Sequence, residues 1–210
     1  MSVVPLYVDA VLLVVDKPAG LLAVPGRGPD KQDCLAARVQ ATYPGALVVH
    51  RLDMATSGLM LFARNADAQR ALSRAFAARQ VKKRYVAVVG GRPAPPAAGW
   101  GEIDLPLILD WPRRPLSKVD FEIGKPSLTR WRTLAHVGDT TRVELEPVTG
   151  RSHQLRVHLQ ALGHPILGDE LYAPPEVRSA SPRLLLHAAY LELPHPLTGE
   201  AVVVESEPPF

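Results

Sequence analysis

Val49-His-Arg-Leu-Asp-Met-Ala-Thr-Ser-Gly58 sits between two apolar runs, Leu47-Val-Val49 and Leu59-Met-Leu-Phe62. Runs this short and apolar predict two buried strands, with His50 to Gly58 as the loop that joins them. A charged Arg51-Leu52-Asp53 triplet is out of place inside a core, so it is expected at the strand ends, in a cleft; a structural Arg–Asp pair would satisfy the same sequence. Before this segment, Val11-Leu-Leu-Val-Val15 predicts a strand closed by Asp16-Lys-Pro-Ala-Gly20, and Asp33 to Thr42 a short amphipathic helix stopped by Tyr43-Pro44-Gly45. After it, Asn65 is a good N-cap for a helix to about Arg79, with Ala68, Leu72 and Phe76 on the core face and Arg70 and Arg74 opposite.

Further along, Val81 to Val89 predicts a strand with a basic start, and Gly90 to Gly101 a stiff connection rich in Gly and Pro. Strands are expected at Glu102–Ile108, Leu128–Ala135, Arg142–Glu146, Leu184–Leu193 and Ala201–Val204. Ser152 is expected to cap a helix that carries Leu155, Leu159 and Leu162 on one face. Many short strands and three modest helices without a regular βαβ rhythm predict an α+β fold, a mixed and mainly antiparallel sheet flanked by short helices and loops.

The chain has 210 residues, which makes one domain over 1–210 the default. A single cysteine excludes an intrachain disulfide and any Cys-based zinc cage. No apolar run approaches the roughly 18 residues of a membrane span, and Met-Ser-Val-Val-Pro lacks the basic and apolar segments of a signal peptide. A soluble, cytoplasmic, globular protein with no membrane association is expected. Arg outnumbers Lys 18 to 6, a bias that suits bidentate contacts to phosphate and bases but also follows from a GC-rich genome. The net charge of +3 hides an uneven distribution: +7 over residues 64–92 and +4 over 111–132, against −5 over 169–210. Two basic segments, one with Trp111 and Trp131 at its ends, fit an RNA-tracking surface.

Several chemistries are excluded by spacing. Gly26-Arg-Gly28 and Gly90-Gly91 lack the residues of a phosphate loop, and His50-Arg-Leu-Asp53 has the wrong order for a kinase catalytic loop. His153 and His158 are separated by five residues, which points their rings apart on a helix and assigns them to hydrogen bonding and packing rather than zinc. Three segments survive. They are the Arg51–Asp53 loop, Gly150-Arg-Ser-His-Gln-Leu-Arg-Val-His158, and Lys82-Lys-Arg-Tyr-Val86, whose Tyr85 is either core or a platform for a base. Arg151 stands just before a helix N-terminus, where the macrodipole disfavours a cation and a carboxylate partner would offset it.

Together the HRLD-x-x-TSG, KK-x-Y-x-A, GR-x-HQLR-x-H, LGHPILGD and RLLLHA segments resemble the RluA family of pseudouridine synthases, from Asp16-Lys-Pro to the carboxyl terminus. Asp104-Leu-Pro-Leu-Ile108, Asp110-Trp-Pro and Gly124-Lys-Pro126 add a likeness to the branch that modifies both 23S rRNA and tRNA. The resemblance implies the pseudouridine synthase catalytic fold without the S4 RNA-binding domain of some siblings. It also implies isomerisation of uridine in RNA stem-loops with no cofactor and no metal. It assigns Asp53 as the catalytic aspartate, Tyr85 as the ring that stacks on the base, and Arg151 as the arginine that pairs with the aspartate. Arg51, with His50 beside it, would enter the space left by the flipped nucleotide, and Leu186 would pack near the uracil. Clustering adds Arg113 and Arg114, with Lys82, Lys83 and Arg84, as RNA contacts. A monomer is expected. The rival functions are a synthase acting on rRNA alone, a non-catalytic RNA-binding factor and a hydrolytic nucleoside enzyme. The last would need a second carboxylate, which the three segments do not supply.

Overall fold

The computed structural model describes residues 3–94 and 96–210. The stiff connection expected over Gly90–Gly101 includes Pro95, and the N-terminal pentapeptide includes Met1 and Ser2, so those parts of both expectations lie outside the described residues. The chain divides into two compact units, one of residues up to Lys83 plus His187–Pro209, the other Arg84–Leu186 with Phe210.

In the first unit, β1 (Pro5–Val8) runs antiparallel to β2 (Leu12–Lys17), and β2 antiparallel to β4 (Ser57–Ala63). The short β3 (Leu47–Val48) lies antiparallel on β4. The β1–β2 turn is closed by Asp9, whose carboxylate accepts from the N–H groups of Val11 and Leu12, both at 2.7 Å. All seven residues of β4 are buried, as its continuous apolar composition demands. The ladder becomes parallel where β4 meets β11 (Leu186–Pro194), at His187–Ser57 and Ala188–Gly58, and β12 (Ala201–Glu205) returns antiparallel along β11. Helix α1 (Leu35–Thr42) precedes β3, and α2 (Ala66–Ala77) packs against β3 and β4. Asn65 caps α2 as expected, accepting from the Ala68 N–H at 2.8 Å. Leu72, Ala75 and Ala68 join Leu12, Leu59, Leu61 and Leu191 in the core, while Arg70 and Arg74 are exposed.

The second unit is built on the antiparallel order β5 (Lys82–Gly90), β10 (Thr140–Pro147), β9 (Leu128–Val137) and β6 (Gly101–Asp104). The boundary between units falls within β5 and within β11. On β10 the alternation is clean, with Thr141, Val143 and Leu145 buried. The strand expected over Glu102–Ile108 is two strands. Pro106 interrupts it, and Leu107–Leu109 forms β7, paired with β8 (Ser117–Val119) in a separate ribbon. Helix α3 (Gln154–Ala161) packs on β8, β9 and β10, and α4 (Pro175–Ser179) is a single turn. Ser152 is not the cap of α3. His153 holds that position in a left-handed conformation (φ 55°), and Leu162 lies beyond the helix. The architecture is α+β with a mixed, mainly antiparallel pairing and few short helices.

Candidate active site

The Asp53 loop is held from both sides. Leu52 turns inward and is buried, Arg51 is exposed, and Asp53 is half-buried. The Asp53 carbonyl accepts from the Thr56 N–H at 3.1 Å, which closes the turn back toward β4. The next carbonyl, that of Met54, accepts from the Gly20 N–H and from the Lys17 ammonium, both at 2.9 Å. Lys17 is fully buried. Its Nζ also donates to the carbonyls of Pro18 (2.9 Å) and Leu21 (2.8 Å), so three protons meet three acceptors and the charge is solvated by backbone dipoles. Nothing in the charge pattern points to this role, because a lysine ordinarily reads as surface.

His50 faces into the unit. Its Nε2 accepts from the Leu61 N–H at 3.0 Å, and its ring stacks on Phe76 with centroids 5.1 Å apart. Burial, followed by the nearby Lys83 charge, pushes its pKa down to about 4. The ring is therefore neutral at pH 7, with its proton on Nδ1. Lys83 lies 5.7 Å from the centre of the Phe76 ring, and burial lowers its own pKa. Lys82 donates to Glu192 at 2.7 Å.

In the second unit Tyr85 is half-buried on β5, opposite Leu145 of β10. Arg84 lies near the carboxylates of Glu144 (4.0 Å) and Glu146 (3.9 Å). Leu186 is buried at the first position of β11. Arg151 is exposed in the turn before α3, where its Nε reaches the Pro126 carbonyl at 3.4 Å. The turn is held by Gln154, to which the sequence reading gave no role. Its Oε1 accepts from the Arg151 N–H (3.0 Å) and the Thr149 hydroxyl (2.7 Å), and its amide nitrogen donates to the Leu128 carbonyl and to Thr129, both at 3.0 Å. His153 and His158 hydrogen-bond as expected, the first to Tyr172 (2.6 Å) and the second to Thr129 (2.9 Å) and the Leu105 carbonyl (3.1 Å).

The Arg113 and Arg114 loop is folded on itself. Asp110, buried, pairs with Arg113 at 2.6 Å, and the Arg114 guanidinium lies over the Trp111 ring at 4.2 Å. Backbone bonds Asp110–Leu116, Arg113–Asp110 and Leu116–Arg113 fix the turn between β7 and β8. Among the described residues no group of three or more His, Cys, Asp or Glu could hold a metal ion.

On this α+β frame the Asp53 loop runs from the half-buried β3 into the fully buried β4, Tyr85 lies on the basic strand β5, and Arg151 lies in the turn before α3. The family described as RNA pseudouridylate synthase matches residues 11–161, and the chain belongs to it. Over 206 residues it is 52% identical to the "Dual-specificity RNA pseudouridine synthase RluA" of Escherichia coli K12, covering 98% of this chain and 93% of that one. Among solved structures, human RNA Pseudouridylate Synthase Domain Containing 1 superposes with a TM-score of 0.80 at 34% identity, over 100% of this chain and 84% of that one. Human RNA Pseudouridylate Synthase Domain Containing 4 gives 0.78 at 26% identity, over 98% and 88%. The protein is an RNA pseudouridine synthase, an isomerase acting on RNA.

Proposed function

We propose that the chain converts uridines to pseudouridine in structured stem-loops of both 23S rRNA and tRNA, with Asp53 as the essential carboxylate. The observation that carries the site is the Asp53 loop itself. It is gripped through the Met54 carbonyl on one side and the Thr56–Gly58 turn on the other, which presents one carboxylate on a rigid frame. The dual target rests on the family branch that the sequence resembles and on the dual-specificity relative at 52% identity.

The reaction moves no atoms in or out. The N1–C1′ bond breaks, C5 bonds to C1′, the C5 proton leaves to solvent and N1 takes one up. A uridine must leave its stack first, at a cost of a few kcal/mol. Arg51 is exposed and, among the described residues, has no ion-pair partner, so its guanidinium is available to occupy the vacated space. Asp53 then serves as nucleophile at C1′ or at the base, or as the base of a glycal route; all three need it anionic. Tyr85 stacks on the uracil and assists removal of the C5 proton, Leu186 packs near the uracil, and Arg151 supplies the guanidinium that favours the carboxylate. Arg113, Arg114, Lys82, Lys83 and Arg84 contact the RNA backbone. His50 supports Arg51 from behind, its ring directed inward. Residues 1–210 act as one catalytic domain, as a cytoplasmic monomer without cofactor. No helix among the described residues is long and apolar enough to cross a membrane.

Mapping pseudouridine in total RNA from cells with the gene, without it, and with Asp53→Asn tests the proposal. Loss of marks in both tRNA and 23S rRNA is expected with the deletion and equally with the variant. Loss in one RNA alone demotes the dual target, and no loss removes Asp53-dependent isomerisation.

A further inference from the structure

Four side chains of the first unit form an unbroken line that the reaction above does not use. The His187 ring is 1% exposed. Its Nδ1 lies 2.9 Å from the Ser57 hydroxyl and its Nε2 lies 3.0 Å from the Ser206 hydroxyl. Ser206 in turn donates to the Asp16 carboxylate, and its backbone N–H is tied to the Ala189 carbonyl at 2.9 Å.

Counting protons fixes the direction of the line. An ionised carboxylate only accepts, so the single proton of Ser206 is spent on Asp16. The Ser206 oxygen must then accept from His187, which places the ring proton on Nε2. A buried imidazole is cheapest neutral, so Nδ1 holds a lone pair and the proton in the last bond comes from Ser57. The exposed carboxylate of Asp16 therefore selects one tautomer of a buried ring and one rotor of a buried hydroxyl.

Ser57 stands four residues after Asp53 and opens β4. Its neighbour Gly58 (φ +112°) passes so close to Ala188 that a Cβ there would lie 2.3 Å from the Ala188 carbonyl oxygen. Asp16 and Lys17 are consecutive on β2, and successive strand residues point to opposite faces. Lys17 takes the inner face and holds the chain one residue after Asp53, through Met54. Asp16 reaches the same chain at Ser57.

We propose that Asp16, Ser206 and His187 are positioning residues for Asp53, acting through the Ser57 hydroxyl to hold the exit of its loop at the geometry the reaction needs. The proposal rests on Asp53 being the essential carboxylate. None of the three touches the reacting atoms. Their loss should reduce the rate of the bound complex without weakening RNA binding, because misplacement of a reacting group by about 1 Å costs on the order of a hundredfold in rate.

The test uses the full-length protein. Ser206→Ala should slow single-turnover conversion of RNA at saturating enzyme about tenfold to a hundredfold, with the half-saturating enzyme concentration unchanged and Tm lowered by only a few degrees. Ser206→Thr, which keeps the hydroxyl, should restore the rate. Nitrogen-15 NMR of the His187 ring should show a single neutral tautomer protonated at Nε2 in the parent, and lose that preference in Ser206→Ala. A proton on Nδ1 in the parent overturns the relay. An unchanged rate in Ser206→Ala, or a rate loss matched by a collapse of Tm that Ser206→Thr does not rescue, overturns the positioning role. A parent that makes no pseudouridine would defeat the functional proposal instead, and the ring spectrum would still report on the relay.

Discussion

His50 stands beside Arg51 in the sequence, yet its ring is turned to the core side, where Nε2 serves as acceptor for a strand amide eleven residues away. That bond requires an unprotonated Nε2, and burial opposes a second proton. The unfolded chain binds the proton near pH 6.5 and the folded one only near 4. The neutral ring therefore contributes its full stabilisation above about pH 6.5 and loses it as the pH falls toward 4, a swing of up to about 3 kcal/mol. Replacing His50 with Phe should remove that part of the pH dependence. Urea unfolding of parent and variant at several pH values between 4 and 7 measures it, and parallel curves would refute it. The residue types around Asp53 were legible from sequence because a charged triplet between two apolar runs has few places to go. Lys17 and Gln154 were not legible, since each earns its role by reaching carbonyls or turns that only the folded chain brings near.

At the scale of elements, local rules carried far where the signal was local. Asn65 capped α2, and its four-residue apolar spacing faced the core. They failed where a partner decided the outcome. The edge strand β1 alternates in burial, but its four residues, Pro5 to Val8, show no polar–apolar alternation, and β8 is only three residues long, so neither carries a period legible in the sequence. His153 displaced Ser152 as the cap because the turn required a positive φ there and Tyr172 offered its ring nitrogen a hydrogen bond. The parallel step between β4 and β11 is another long-range event, and it depends on Gly58. An alanine there meets the Ala188 backbone and occupies a disfavoured φ, so Gly58→Ala should cost more than about 3 kcal/mol. At this chain length that lowers Tm by about 6 °C or more. Gly45 has a similarly positive φ (+85°) but open space around its Cβ position, so Gly45→Ala should cost only the backbone term, about 1–2 kcal/mol. Equal losses in thermal melts of the two variants would show that the close strand approach is not what Gly58 serves.

For the whole molecule, the net charge of +3 understates the attraction to RNA, because the basic charge is concentrated over residues 64–92 and 111–132, even though part of it is shared with nearby acids. Arg70 pairs with Asp67, Lys82 with Glu192, Lys118 with Asp120, and Arg130 and Arg132 with Glu102 and Glu144. The two pairs exposed on both sides, Arg70–Asp67 and Arg130–Glu102, hold about 0–1 kcal/mol each, little enough for a phosphate to replace the acid. Arg113 differs, since its partner Asp110 is buried and the pair shapes the β7–β8 turn. Reversing both Arg113 and Arg114 would therefore disturb the loop as well as its charge, whereas Arg114→Glu alone leaves the Asp110–Arg113 bond in place. If both side chains contact phosphates, each accounts for roughly 0.7–0.9 of the slope of log affinity against log salt. Arg114→Glu should then weaken RNA binding at low salt and flatten the slope by about one, with Tm unchanged. The double reversal should flatten it by about two, and a Tm loss in that variant alone would belong to Asp110. A slope that stays fixed in Arg114→Glu would remove this loop from the RNA-binding surface. The basic segment 64–92 would then have to supply the phosphate contacts.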